Sequence, residues 1–135
     1  HVLRLIRDLI AFPAKGRGTN LENALNFLGK VQKKEAVVFL LSDFLSEEEK
    51  ESELKAIAKK HDLIAVSVQD PLEKRVPDVG LLPLIDLETG AQDLVDTSSK
   101  ELNPSLELHY TENLKLAKKQ IEKSGGSWIE VKTDT

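Results

Sequence analysis

Apolar residues recur along this chain in two rhythms, one spaced as a helix face and one continuous, and their order predicts the elements. Val2, Leu5, Ile6, Leu9 and Ile10 fall on one helical stripe, and Pro13, Gly16 and Gly18 close that segment. The basic loop Lys15-Gly16-Arg17-Gly18 follows. Leu21, Ala24, Leu25, Leu28 and Val31 mark a second helix, and Thr19-Asn20-Leu21-Glu22 carries the Thr-x-x-Glu pattern of a capping box. The run Ala36-Val37-Val38-Phe39-Leu40-Leu41 then reads as a fully buried strand that ends in Ser42-Asp43-Phe44. Ser46 followed by Glu47, Glu48 and Glu49 reads as a helix start, with carboxylates at the positive end of the dipole. Leu54, Ile57 and Ala58 give this helix its buried face, and Lys59 and Lys60 suit its carboxyl end.

A second run, Leu63-Ile64-Ala65-Val66-Ser67-Val68, ends in Gln69-Asp70-Pro71. Strand, helix and strand at this spacing predict a right-handed parallel crossover. Neither strand alternates with polar residues, so both are expected to lie in a sheet covered by helices on both faces. Residues 82–87 and 92–95 flank Glu88-Thr89-Gly90 and read as a small β-hairpin. Leu106, Tyr110, Leu114, Ala117 and Ile121 define a long helix stopped by Ser124-Gly125-Gly126. Trp128, Ile129 and Val131 complete the pattern as a last strand. The expected fold is α/β, one domain over residues 1–135, with the hairpin as an insertion.

Composition narrows this picture without redirecting it. The 135 residues are 40% hydrophobic with a formal charge of -4, enough for one core and without the basic field that nucleic acid requires. The absence of cysteine removes disulfide and thiol chemistry and suits a reducing compartment. Apolar runs of about six residues fall far short of the ~20 that span a bilayer, so no membrane insertion by this segment is expected. His1 at the start and the lack of methionine lead to the expectation that these residues are a piece of a longer protein.

Candidate chemistry gathers where the two apolar runs end, because open α/β sheets bind ligands at the carboxyl ends of their strands. Thr19 and Asp43 are hard oxygen donors of the kind magnesium accepts, while Ser42 and Asp70 are candidates for the same rim. Each has an ordinary structural use: Thr19 and Asp43 suit helix caps, Asp70 before Pro71 suits a turn, and Asp96 before Thr97-Ser98-Ser99 suits a cap or turn. His1, His61 and His109 are too scattered for a zinc pair. The glycine loop lacks the Gly-Lys-Ser/Thr ending of a phosphate-binding loop, though Lys15 and Arg17 offer a small anion-attracting corner. Ser42 with His61 would make a hydrolase pair only if the fold brought them together, and the Gly-x-Ser-x-Gly elbow is missing.

Several blocks also carry a likeness. Gly18-Thr19-Asn20-Leu21, Val38-Phe39-Leu40-Leu41-Ser42-Asp43-Phe44-Leu45, His61-Asp62-Leu63-Ile64-Ala65-Val66, Asp70-Pro71, Pro77-Asp78-Val79-Gly80-Leu81, Glu88-Thr89-Gly90 and Val95-Asp96-Thr97 occur in order over about residues 12 to 133. Together they resemble domain-of-unknown-function family fifty-eight, a bacterial family of von Willebrand factor A-like proteins. The resemblance implies a Rossmann-like, three-layer von Willebrand factor A-like fold, incomplete at its amino end, and an interaction module often encoded beside a MoxR-type AAA ATPase. It also implies a metal-ion-dependent adhesion site in which Thr19 matches the family's Thr and Asp43 its Asp. The Asp-x-Ser-x-Ser run of such sites does not occur in this sequence, and Asn20 stands where the family commonly has Asp.

These readings give a protein-binding module as the expected function, with a magnesium site whose remaining ligands lie outside this sequence. The alternative is a metal-dependent hydrolase or phosphoryl-transfer enzyme using Asp43 and Asp70. A protein partner such as a MoxR-type ATPase is expected, in the cytoplasm or on the cytoplasmic part of a membrane-anchored protein. A central strand missing from the sheet would leave unpaired backbone groups, so self-association is also an expectation.

Overall fold

The computed structural model describes residues 1–12, 19–45, 51–85 and 90–133. In chain order the elements are α1 (Val2–Ala11), α2 (Leu21–Val31), β1 (Val37–Ser42), α3 (Glu51–Ala58), β2 (Asp62–Gln69), α4 (Pro71–Lys74), β3 (Leu81–Ile85), β4 (Gln92–Asp96), α5 (Leu102–Lys123) and β5 (Ser127–Lys132). The basic loop around Lys15 and Arg17, the acidic helix start at Ser46 to Glu49, and the Glu88-Thr89 part of the hairpin turn lie outside the described residues.

β2 is the central strand of a three-stranded sheet and runs parallel to both β1 and β5. Its register aligns Leu40 with Ala65 and Ala65 with Trp128, so these side chains share one face. On that face Leu25 of α2, Leu54 and Ile57 of α3, and Ile121 of α5 close over Leu63 and Ala65, with Leu21, Val38, Leu40 and Trp128 packed around them. Burial of this apolar surface is the main force holding the helices to the sheet.

The opposite face departs from expectation. Phe39, Leu41, Ile129 and Val131 stand between 46% and 65% exposed, and β1 alternates exposed and half-buried positions instead of being buried throughout. Among the described residues the helices of the core cover one face only, so the fold there has two layers where three were expected. The reason is physical: an unbroken apolar strand signals demand for cover on both faces, and α2, α3 and α5 all supply it on the same one. α1 forms as its spacing predicts but adds nothing to the core, with Val2 69%, Leu5 63% and Ile10 82% exposed.

Two helix ends show how local signals are resolved. Asn20, not Thr19, caps α2, its side chain accepting the Asn23 N–H at 2.8 Å. Asn is the stronger cap of the two, and taking it moves the helix start one residue on. α5 stops at Ser124, and Gly125 supplies the left-handed φ of +90° that lets the Gly126 N–H donate back to the Ile121 carbonyl at 3.0 Å. A Cβ on Gly126 would lie 3.0 Å from Ile121 Cγ2 and 3.2 Å from Leu63 Cγ, so the missing side chain is what allows β5 to leave against the core.

β3 and β4 pair antiparallel as the expected hairpin. Buried Thr97 seals its base: Thr97 N–H and Oγ1 both donate to the Gly80 carbonyl, and Oγ1 accepts the Val79 N–H at 2.9 Å. Asn103 likewise holds Val76, accepting its N–H at 3.0 Å and donating to its carbonyl at 3.1 Å.

Candidate functional site

At the carboxyl end of β1 the chain makes a tight turn that fixes Ser42 and Asp43. Phe44 N–H donates to Ser42 Oγ at 3.1 Å, Leu45 N–H donates to Asp43 Oδ1 at 3.3 Å, and Ser42 Oγ donates to Asp43 Oδ1 at 3.4 Å. Phe44 takes a left-handed φ of 57°, a conformation that costs a side-chain-bearing residue energy. Burial of its ring offsets that cost, since Phe44 is 7% exposed and stacks tilted on Trp128 with centroids 4.8 Å apart. Asn113 of α5 anchors the far side of the turn by donating to the Leu45 carbonyl at 3.2 Å.

Thr19 and Ser42 line one recess of about 100 Å³, floored by Leu40, Leu54 and Ile121. Thr19 precedes α2 and Ser42 ends β1, so two loops meet at this point of the rim. Asp43 follows Ser42 in the chain with its side chain exposed, and it is not among the residues that line the recess. Because Asn20 does the capping, α2 does not take Thr19 as its N-cap.

Asp70, at the end of β2, is committed locally. Its Oδ1 accepts the Leu72 N–H at 2.9 Å, and Glu73 returns the favour by accepting the Asp70 N–H at 3.3 Å, a complete capping box on α4. Replacing Asp70 with alanine is expected to cost about 0.5–2 kcal/mol through this cap, read as a lower urea midpoint. A midpoint unchanged from the parent would show that α4 holds without it.

The same box brings in residues that sequence reading overlooked. Burial pushes the Glu73 carboxyl above its ordinary value, the Asp70 N–H pulls it back, and the charges of Asp43 and Asp70 push it up again. Tyr110 of α5 is raised in the same way, first by burial and then by Glu73, Glu130, Asp43 and Asp70. Asp43 and Asp70 therefore share one negative field with Glu73 and Glu130. Protonated Glu73 is favoured by the fold, so its contribution to stability is present in acid and is lost as pH rises through its raised pKa. Lys74 lies 5.5 Å over the Tyr110 ring, and Lys118 pairs with Glu130 at 3.9 Å, which keeps the rim from being purely acidic. An Asp-x-x-Glu pattern at 70–73 was the available signal for Glu73; Tyr110 and Glu130 reach the rim only through tertiary packing.

Donor chemistry at this rim suits a hard cation: two hydroxyls, from Thr19 and Ser42, and one carboxylate, from Asp43. Among the described residues no group of three or more His, Asp or Glu side chains is placed to hold a metal alone. Asp96 is a turn residue, with the Ser98 hydroxyl and then the Ser98 N–H lowering its pKa. His61 is buried at the amino end of β2, where neither ring nitrogen finds a partner among the described residues. Ser42 lies in register with Ser67 at the other end of the strands, so the fold separates Ser42 from His61.

The fold and rim define an α/β domain with a parallel sheet and a polar, hydroxyl-bearing carboxyl edge. Residues 1–115 match the model of the family described as protein of unknown function DUF58, and the chain belongs to that family. It is 35% identical over 89 residues to the uncharacterized protein Rv1480 of Mycobacterium tuberculosis (strain ATCC 25618 / H37Rv), covering 66% of this chain and 28% of that protein. The uncharacterized protein MAV169 of Mycobacterium avium is 34% identical over 89 residues, 66% of this chain and 52% of its own length. The match thus spans between about a quarter and a half of these relatives. No solved structure matches.

Proposed function

We propose that this chain is part of a von Willebrand factor A-like protein-interaction module whose docking surface is the carboxyl rim of the sheet. Thr19 and Asp43 act there as ligands of a magnesium ion, with Ser42 beside them and the remaining positions filled by water and by polypeptide beyond these residues. When bound, the ion supplies an open coordination position for a carboxylate of the partner, so that docking depends on the metal and no bond need be broken. The partner in this reading is a MoxR-type AAA ATPase, met in the cytoplasm.

The observation that carries the reading is the meeting of Thr19 and Ser42 in one recess, with Asp43 next in the chain. An enzyme built on Asp43 and Asp70 finds less support, because Asp70 closes the capping box of α4 and does not line the recess that Thr19 and Ser42 share. Affinity for the MoxR-type ATPase of the same organism, measured with magnesium and with chelator, tests the proposal. Asp43→Asn is expected to weaken magnesium-dependent binding about 10-fold or more while the urea midpoint stays near the parent's. Equal affinity of parent and variant in magnesium would refute it.

A further inference from the structure

Between α4, α5, β2 and β5 a groove of about 270 Å³ gathers hydroxyls, an amide and ammonium groups. Thr111, Lys115 and Lys118 stand at i, i+4 and i+7 on α5, so they share one stripe of the helix, and all three line the groove. Lys74 enters from α4, 5.5 Å over the Tyr110 ring. Two further lining residues are polar and deep, Tyr110 at 4% and Gln69 at 9% exposure. We propose that this groove binds the phosphate group of a small molecule. It shares no lining residue with the recess of Thr19 and Ser42, so the site stands apart from the proposed magnesium ligands.

Donors prevail there. Among the described residues neither Lys74 nor Lys115 has a carboxylate within ion-pair distance, whereas Glu130, the one acid lining the groove, is held by Lys118 at 3.9 Å and by the Trp128 indole N–H at 3.0 Å. Burial holds the Tyr110 hydroxyl above its ordinary pKa, and the charges of Glu73, Glu130, Asp43 and Asp70 add to the effect. The hydroxyl therefore keeps its proton and donates. Gln69 Nε2 donates to Ser67 Oγ at 3.4 Å, which leaves its second N–H for a ligand.

Charge selects the anion. Three lysines against one glutamate leave the lining an excess of two positive charges, which a phosphate dianion cancels and a carboxylate only halves. Size limits what carries it, since about 270 Å³ falls just below the ~300–1,000 Å³ of ordinary small-molecule sites. The chain's charge of -4 supplies no basic field around the groove, so attraction is local and suits one phosphate group over a polymer of them.

NMR of the 135-residue chain in magnesium-free buffer tests the groove without involving the metal. Inorganic phosphate, added at fixed ionic strength, is expected to shift the Thr111 and Lys115 amides and the Gln69 side-chain amide along one saturable curve. Acetate should bind at least about 10-fold more weakly. Lys115→Gln should weaken phosphate binding about 10-fold, and Glu130→Gln should tighten it about threefold, because a like charge leaves the lining. Both positions are exposed, and circular dichroism verifies that each variant is folded. Shifts that grow linearly and are as large at Lys55 and Lys119 would mean an ion atmosphere only, and they overturn the proposal. So do equal affinities for phosphate and acetate, phosphate binding unchanged by Lys115→Gln, or binding that Glu130→Gln weakens.

Discussion

Leu63→Ala is expected to destabilise the chain by about 2–5 kcal/mol, against a total of ~5–15 kcal/mol for a domain of this kind. Leu63 is 1% exposed at the centre of β2, and Leu25, Leu54, Ile57 and Ile121 close over it from three helices. Gly126 already lets β5 approach at the limit of contact, so little backbone slack exists to collapse the cavity. Leu41→Ala makes the same chemical change on the open face, where the side chain is 65% exposed, and should cost less than about 1 kcal/mol. Urea unfolding of the two variants in dilute solution compares the faces directly. Similar losses at both positions would mean that the sheet is covered on both sides.

Phe44→Ala is the second large effect, and two opposed contributions decide it. The left-handed φ of 57° disfavours any residue with a Cβ by about 1–2 kcal/mol, and alanine would keep most of that strain. Removing the ring loses its burial and its contact with Trp128, about 3–5 kcal/mol. Packing therefore outweighs strain, and even Phe44→Gly, which relieves the backbone, should be net destabilising. The turn carries Ser42 and Asp43, so Phe44→Ala should also release the Leu45 N–H bond to Asp43, visible as faster amide exchange at Leu45. A Phe44→Gly variant more stable than the parent would show that strain, not ring packing, dominates the turn.

Much of the architecture was readable because its causes are local. The spacing of Leu54 and Ile57, the glycine stop after Ser124, and the two apolar runs each signal their element without reference to the rest of the chain. What failed was any inference that needed to know which side a neighbour occupies. Val37 to Leu41 reads as buried on both faces, yet only Val38 and Leu40 meet the core, because apolar pattern records the demand for cover and not its supply. Thr19 reads as the first residue of a capping box, but Asn20 is the N-cap, one residue later. At the rim, Ser42, Asp43 and Asp70 were visible as strand ends. Glu73 is hidden in a four-residue helix, and Tyr110 and Glu130 come from elements far along the chain, whose place in one electrostatic field with Asp43 no spacing encodes.

Manganese paramagnetic broadening in the amide NMR spectrum tests the rim most directly, since it reports even weak binding of a hard cation. The account predicts that the amides of Thr19 and of Asp43 and Phe44 broaden together, that magnesium reverses the effect, and that Asp43→Asn abolishes it at both loops. Broadening confined to Asp70 and Glu73, or at Asp43 with Thr19 untouched, would contradict it.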